Sequence, residues 1–239
     1  MAWIDQWALA WHDWQHGSTR RRLARRADLS PALRAQQSAW PTAARMRRCW
    51  STERFVVLDT ETTGLDPAAD RAISLGAISI VGGRIHLGDT FHRLLATGVP
   101  STRNSLIVHG LTDATVARGT APTEALSDFL VWIDDAILVA HHAAFDLAML
   151  NHTSIELHGI PLQNLVLDTT HLAARLERGQ QLGYGLDTLL ERYAIAGSAE
   201  RHTALGDAIL TARLLLKLLK RLRARGLGSL RDLALSQEP

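Results

Sequence analysis

Residues Val56 to Pro67 read VVLDTETTGLDP, an apolar run broken by Asp59 and Glu61 and followed by a Thr-Thr-Gly-Leu turn. On a pleated strand, residues two apart leave the same face, so both carboxylates point one way near the end of a strand otherwise fit for burial. Adjacent carboxylates repel each other and resist leaving water. A hard divalent cation such as magnesium or manganese takes oxygen ligands and removes the repulsion. Gly64, just beyond, lets the backbone turn closely past whatever the acids hold. Taken alone, the stretch fits a solvated turn as well as a cation site.

The neighbouring pattern places this strand in a sheet. FVVLD, RAISLGAISIVGG and RIHLGDTFHRLLA read as strands, with Gly82-Gly83 where a hairpin turn is expected. A loop, SLIVHGLTDATVARGT, leads to helical spacing in PTEALSDFLVWID, a short buried strand in ILVAH, and a helix in AAFDLAMLNHTSIELHG. NLVLDTTHLAARL repeats the strand-then-helix order. GLDTLLERYAI and TALGDAILTARLLLKLLKRLRAR read as helices, the last ending in a basic turn that suits the helix dipole. Hairpins followed by strand-helix alternation imply an α/β unit with a mixed sheet flanked by helices.

Two further clusters carry chemistry. Asp146 falls in the first turn of the helix after ILVA, where the helix N-terminus is reason enough for an isolated acid. RHTALGDA holds His202 and Asp207. Five residues advance a helix by about 140° beyond a full turn, so the two do not share a helical face. His202 therefore belongs on the loop before the helix, leaning over a site that Asp207 enters from inside.

With 239 residues and 46% hydrophobic content, the chain can bury one core and carry an extension. The lone Cys49 excludes an internal disulfide framework and a multi-cysteine zinc site, so any metal must be held by oxygen or imidazole. No run is long and apolar enough for a membrane span, and the start, MAWIDQWALAWHDW, carries acids where a signal peptide needs basic residues, so a cytoplasmic protein is expected. The net charge of +2 divides unevenly: residues 1–50 hold nine Arg and three Asp, giving +6, and the remainder sums to −4. Such a front suits nucleic acid or an anionic surface, although solvated basic faces without partners are common. Trp3, Trp7, Trp11 and Trp14 fall on one helical stripe, read as docking on the protein's own core rather than on a partner. The chain divides into a basic, Trp-rich helical extension (1–52), a main domain (53–225) and a short, loosely ordered tail (226–239).

The blocks DTETTGL, HHAAFD and RHTALGDA, in this order, resemble the three motifs of the DEDDh, or DnaQ-like, exonuclease family, which includes the proofreading epsilon subunit of bacterial DNA polymerase III. IVHGLTDATV, LDTTHLAARL and LDTLLERYAI resemble the family's connecting segments, and the likeness runs from about Arg54 to Leu219. It implies an RNase H-like five-stranded mixed sheet and a metal-dependent 3′–5′ exonuclease using two Mg2+ or Mn2+ ions. By motif position, Asp59 bridges both metals, Glu61 and Asp207 complete the first site, Asp146 supports the second, and His202 is the general base. Thr62, Thr63, Gly64 and Leu65 are expected to cradle the terminal nucleotide, with His109 lining the same pocket. His142 stands where many relatives have Asn, and is assigned to substrate geometry. The implied partner is single-stranded nucleic acid or a 3′ terminus, read as DNA in proofreading or repair, with a polymerase as a further partner. RNA or oligonucleotide degradation, and a nuclease-fold module that mainly engages a polymerase, are the alternatives.

Overall fold

The computed structural model describes residues 23, 25, 29–39, 41–177 and 183–234. The Trp3, Trp7, Trp11 and Trp14 stripe lies outside the described residues. Helices α1 (Pro31–Ser38) and α2 (Ala43–Met46) precede the sheet, followed by strands β1 (Phe55–Thr62), β2 (Ala72–Val81) and β3 (Arg84–Leu94). Next come α3 (Arg103–His109), α4 (Asp113–Val116), α5 (Pro122–Ile133), β4 (Ile137–Ala140) and α6 (Ala143–His158). The chain closes with β5 (Val166–Asp168), α7 (Thr169–Leu176), α8 (Leu186–Arg192), α9 (Ala204–Ala224) and α10 (Leu230–Ala234).

The five strands lie in the order β3-β2-β1-β4-β5. β1 is antiparallel to β2 and parallel to β4, so it sits where the hairpin half meets the parallel half. Its alternation sorts the core. Phe55 and Val57 join Ile137, Val139 and the leucines of α9 on one face, whereas Val56 and Leu58 join α5 and α6 on the other. Asp59 and Glu61 continue the first series and Thr60 the second, which aims the acids toward α9.

The β2–β3 turn is made by Gly82 and Gly83 at φ 58° and 72°, the left-handed pair that a two-residue hairpin demands. Farther along, pairing passes from Ile78 with Thr90 to Ser79 with His86, leaving Leu87, Gly88 and Asp89 outside the ladder. The Arg54 guanidinium fills that region. It donates to Ser79 Oγ at 2.8 Å and to the Trp132 and Ile133 carbonyls at 3.0 and 3.1 Å, closing the end of α5.

The segment read as one loop between β3 and α5 contains α3 and α4. Thr102 accepts the Ser105 N–H at 3.3 Å and Thr112 the Thr115 N–H at 3.2 Å, so each short helix starts at a threonine cap. Gly110, at φ 68°, ends α3.

The described part of the N-terminal segment is packed. Gln36 of α1 is fully buried, donating to Asn164 Oδ1 at 2.9 Å and accepting the Gln163 N–H at 2.6 Å. These contacts sit just before β4 and β5, at the opposite end of the parallel strands from Asp59. Arg45 pairs with Glu53 at 2.8 Å, and Trp50 Nε1 donates to the Leu227 carbonyl at 3.3 Å. Leu230 and Leu233 of α10 are fully buried in the same core.

Candidate active site

Asp59 and Glu61 meet Asp207 because α9 begins directly on the sheet. Gly76 pairs with Asp59 across β1 and β2. A Cβ at Gly76 would lie 2.2 Å from Leu205 N and 2.3 Å from the Ala204 carbonyl carbon, so only glycine admits the first turn of α9 here. That turn carries Asp207 inward until Asp59, Glu61 and Asp207 each offer a carboxylate oxygen within 4.8 Å of the others. Gly76→Ala is expected to push the turn away, cost about 1–3 kcal/mol as an overpacked site, and sharply lower hydrolysis. Urea unfolding and a nuclease assay read the two effects, and unchanged values in both would show that the contact yields freely.

Asp146 comes from the other face of the sheet. Its Oδ1 accepts the Thr60 N–H at 2.9 Å and the Thr60 hydroxyl at 2.7 Å. Thr60, which reads in sequence as a spacer between two acids, thus fixes a third. The four carboxylates converge at the carboxyl-terminal half of β1, beyond its pairing with β4, on the side where α/β sheets place their sites.

The loop before α9 supplies the remaining charges. Thr203 caps the helix, accepting the Gly206 N–H at 3.1 Å and donating to the Glu200 carbonyl at 2.7 Å. His202 is exposed just ahead of this cap, in the left-handed region at φ 65°. Arg201 ion-pairs with Asp207 Oδ2 and reaches Asp187 Oδ1 through Nε at 2.8 Å. Its role was not apparent in the sequence, where it reads as one arginine among many.

Burial first, then the carboxylates of Asp146, Glu61 and Asp207, hold Asp59 well above the usual carboxyl range. Burial, with Asp207 adding to it, pushes Glu61 up to about 7, against the pull of Arg201. Burial likewise pushes Asp146 up to about 7, against its Thr60 bonds. Asp207 is raised by burial, with Arg201 and His202 opposing. Four like charges drawn this close resist ionising together, and a further cation relieves them. Asp207 Oδ1 is buried with no hydrogen-bond partner, and the donors are all carboxylate oxygens. This set fits a hard divalent ion.

A cavity of about 440 Å³ opens beside the acids, lined by Glu61, Thr62, Gly64, Leu65, Val108 and His109, with Phe145 opposite. Thr102 N donates to the Thr63 carbonyl at 2.7 Å, which ties α3 to the turn after β1 and closes one side. Leu65 is 83% exposed at the mouth, an apolar side chain free to meet an apolar ligand face. His109 Nδ1 accepts the Leu111 N–H at 3.0 Å, which leaves the ring proton on Nε2. Phe145 and Val108 were not singled out in the sequence, although Phe145 directly precedes Asp146.

Thr63 and His142, two of the expected substrate-binding residues, do not line this cavity. Thr63 is fully buried; its hydroxyl donates to Asp70 Oδ1 at 2.8 Å and accepts the Arg71 N–H at 3.0 Å. Gly64 is needed for the same carboxylate, since a Cβ there would lie 2.3 Å from Asp70 Oδ2. His142 is exposed outside the cavity wall and adopts φ 59°, ψ 48° as the cap before α6. Asn, Asp and His are the non-glycine residues that best tolerate this conformation, which gives a backbone reason for His at this position. Asp168 completes the junction, accepting the Ala143 N–H at 2.9 Å and the Thr170 N–H at 2.8 Å, so one carboxylate serves the starts of α6 and α7. His142→Asn is expected to leave stability within about 0.5 kcal/mol, whereas His142→Val loses about 1–2 kcal/mol in urea unfolding. Equal midpoints for the two variants would remove the backbone explanation.

The exonuclease family model RNase_T matches residues 56–215, and the chain belongs to this exonuclease family. It is 44% identical over 175 residues to the DNA polymerase III subunit epsilon-like protein of Rhodobacter capsulatus, covering 72% of this chain and 25% of that protein. It is 34% identical over 179 residues to the PolC-type DNA polymerase III of Thermotoga maritima, covering 75% of this chain and 13% of that protein. The chain thus spans a quarter or less of these curated relatives. Among solved structures, Exonuclease X in complex with 5′-overhanging duplex DNA aligns with a TM-score of 0.60 at 21% identity, covering 77% of this chain and 98% of that one. Escherichia coli Exonuclease I with a dT13 oligonucleotide aligns with a TM-score of 0.62 at 16% identity, covering 73% of this chain and 42% of that one. These structures share the fold: a mixed five-stranded sheet flanked by helices.

Proposed function

We propose that this chain is a 3′–5′ exonuclease dependent on two Mg2+ or Mn2+ ions, hydrolysing DNA from its 3′ end and releasing nucleoside 5′-monophosphates, with residues 53–225 as its catalytic unit. The observation that carries this reading is the convergence of four carboxylates, three of them buried, beside a cavity able to take a nucleotide, in a chain of the exonuclease family. Two divalent ions, when bound, activate the attacking water and stabilise the phosphate and the departing 3′ oxygen.

The protein's own groups do the rest. Asp59, Glu61, Asp207 and Asp146 would hold the ions, with Thr60 fixing Asp146. Leu65 and Val108 meet the terminal base, while His109 and the Thr62 to Gly64 backbone border the sugar and phosphate. His202, exposed beside Asp207, takes the proton of the attacking water, the general-base role for which an imidazole is suited. His141 is unsuited to that task, since burial first and His142 second pull it down to about 4.

The test incubates the protein with 5′-labelled single-stranded DNA, mismatched-end duplex and RNA, with Mg2+, Mn2+ or chelator, beside His202→Ala. Shortening of DNA from the 3′ end only with metal is the expected result. No degradation under any metal condition overturns the reading, and preference for RNA assigns the alternative substrate. The relatives named for DNA polymerase III support a second reading, a cytoplasmic nuclease acting beside a polymerase, which co-purification with a polymerase subunit tests.

A further inference from the structure

The outward face of α9 is a basic stripe. Arg213, Lys217, Lys220, Arg221 and Arg223, with Arg225 just past the helix end, are all exposed, while Leu210, Leu214, Leu218 and Leu222 fill the inward face. No acid occurs between Asp207 and Asp232, and both lysines of the chain lie on this stripe. None of the six takes part in an ion pair among the described residues. Nearby acids are engaged elsewhere, Glu177 with Arg192 and Asp187 with Arg201.

Helix electrostatics explains only part of this. The macrodipole favours cations in the last turn, but its effect fades within that turn, and Arg213 and Lys217 lie farther back. Arg213 and Lys217, Lys217 and Arg221, and Arg221 and Arg225 are each four apart, a spacing at which like charges destabilise a helix. Arg221 lies over the Tyr193 ring at 4.3 Å and Arg223 over the Trp50 ring at 5.9 Å, which leaves Arg213, Lys217, Lys220 and Arg225 as exposed cations without an ion pair among the described residues, a set that suits a polyanion.

From Arg213 to Arg225 the stripe runs about 18 Å at 1.5 Å per residue. It begins about 9 Å along the helix axis from Asp207. A DNA duplex is a straight rod with one charge per about 1.7 Å of axis, whereas the single-stranded end is taken by the cavity on the other side of the acids. We propose that this face of α9 docks the phosphate backbone of the duplex behind a single-stranded 3′ end. The inference rests on the exonuclease reading above and extends it from the terminal nucleotide to the stem.

The experiment uses the full chain in chelator, where nothing is hydrolysed, and measures fluorescence anisotropy of a DNA hairpin with a short 3′ tail across a salt series. The triple variant Arg213→Gln, Lys217→Gln, Lys220→Gln keeps good helix formers on exposed positions and is checked by its thermal unfolding. Losing three phosphate contacts is expected to flatten the slope of log affinity against log salt by about 2 to 3. The tail oligonucleotide alone should bind both proteins equally, and Mn2+-dependent hydrolysis of a dinucleotide should be unchanged. An unaltered slope on the hairpin, an equal loss on the oligonucleotide, or binding to phosphatidylserine vesicles that the variant loses to the same degree overturns the proposal. Failure of the wild type to cleave the dinucleotide, with the slope change present, would keep the docking surface and remove the exonuclease reading.

Discussion

Asp59→Ala is expected to lower metal-dependent hydrolysis by at least about three powers of ten. Asp59 is the acid that the other three surround, and Asp146, Glu61 and Asp207 all add to its raised pKa. Charge stabilisation by bound divalent ions is worth several kcal/mol, and each 1.36 kcal/mol is tenfold in rate. The same substitution has an opposite effect on the metal-free fold. It removes a desolvated carboxylate facing three like charges, so in chelator at pH 8 the variant should unfold at a higher temperature than the wild type. Activity that survives the substitution places the chemistry elsewhere. Lost activity with lowered stability in chelator would instead mean that Asp59 supports the fold rather than concentrating charge.

The second large effect is a coupling of stability to pH and metal. Glu61 and Asp146 titrate at about 7 in the folded protein, whereas an unfolded Asp or Glu titrates at about 4. The folded state therefore binds more protons than the unfolded state between these values. Their contribution to stability is fully present below about pH 4 and is lost as pH rises through about 7. In chelator, the unfolding temperature should fall from pH 5 to pH 8. Divalent cation acts on the same groups with the opposite sign. At a hundred times its dissociation constant, a ligand of the native state adds about 2.7 kcal/mol, or about 5–10 °C for a chain of this size. That gain should be large at pH 8 and small at pH 5, where protons occupy the carboxylates. Differential scanning fluorimetry with and without Mn2+ reads both slopes. A metal-induced shift equal at the two pH values would disconnect the ion from these acids.

Much of this architecture could be read from local pattern. Alternation placed Asp59 and Glu61 on one face of a strand, and Gly82-Gly83 marked the hairpin. The order of the three blocks, through its resemblance to an exonuclease family, implies that Asp146, His202 and Asp207 join the two acids. What escaped acts between segments remote in sequence. Gly76 looks like an ordinary strand glycine until α9 is seen resting on it. Thr60 is an unremarked residue until Asp146 arrives from the opposite face of the sheet. Arg201 becomes an ion-pair partner only when the loop before α9 brings it between Asp187 and Asp207. The Leu87 to Asp89 excursion follows no alternation rule, because Arg54, Ser79 and Trp132 hold it from other elements. His142 carries a reason that the sequence does not show: its backbone lies at φ 59°, ψ 48°, a conformation that favours its residue type.

The route by which Asp207 reaches the acids also orders events during synthesis. Asp59 and Glu61 are translated early and Asp146 midway, but the carboxylate that completes their cluster belongs to the last long helix. At about 5–20 residues per second, the interval between the first acid and the last is on the order of ten seconds. For that time the growing chain carries Asp59 and Glu61 without Asp207, and a chain cut short before α9 lacks the third carboxylate of the cluster. The cluster is thus completed only when nearly the whole of the sheet and its helices has been made.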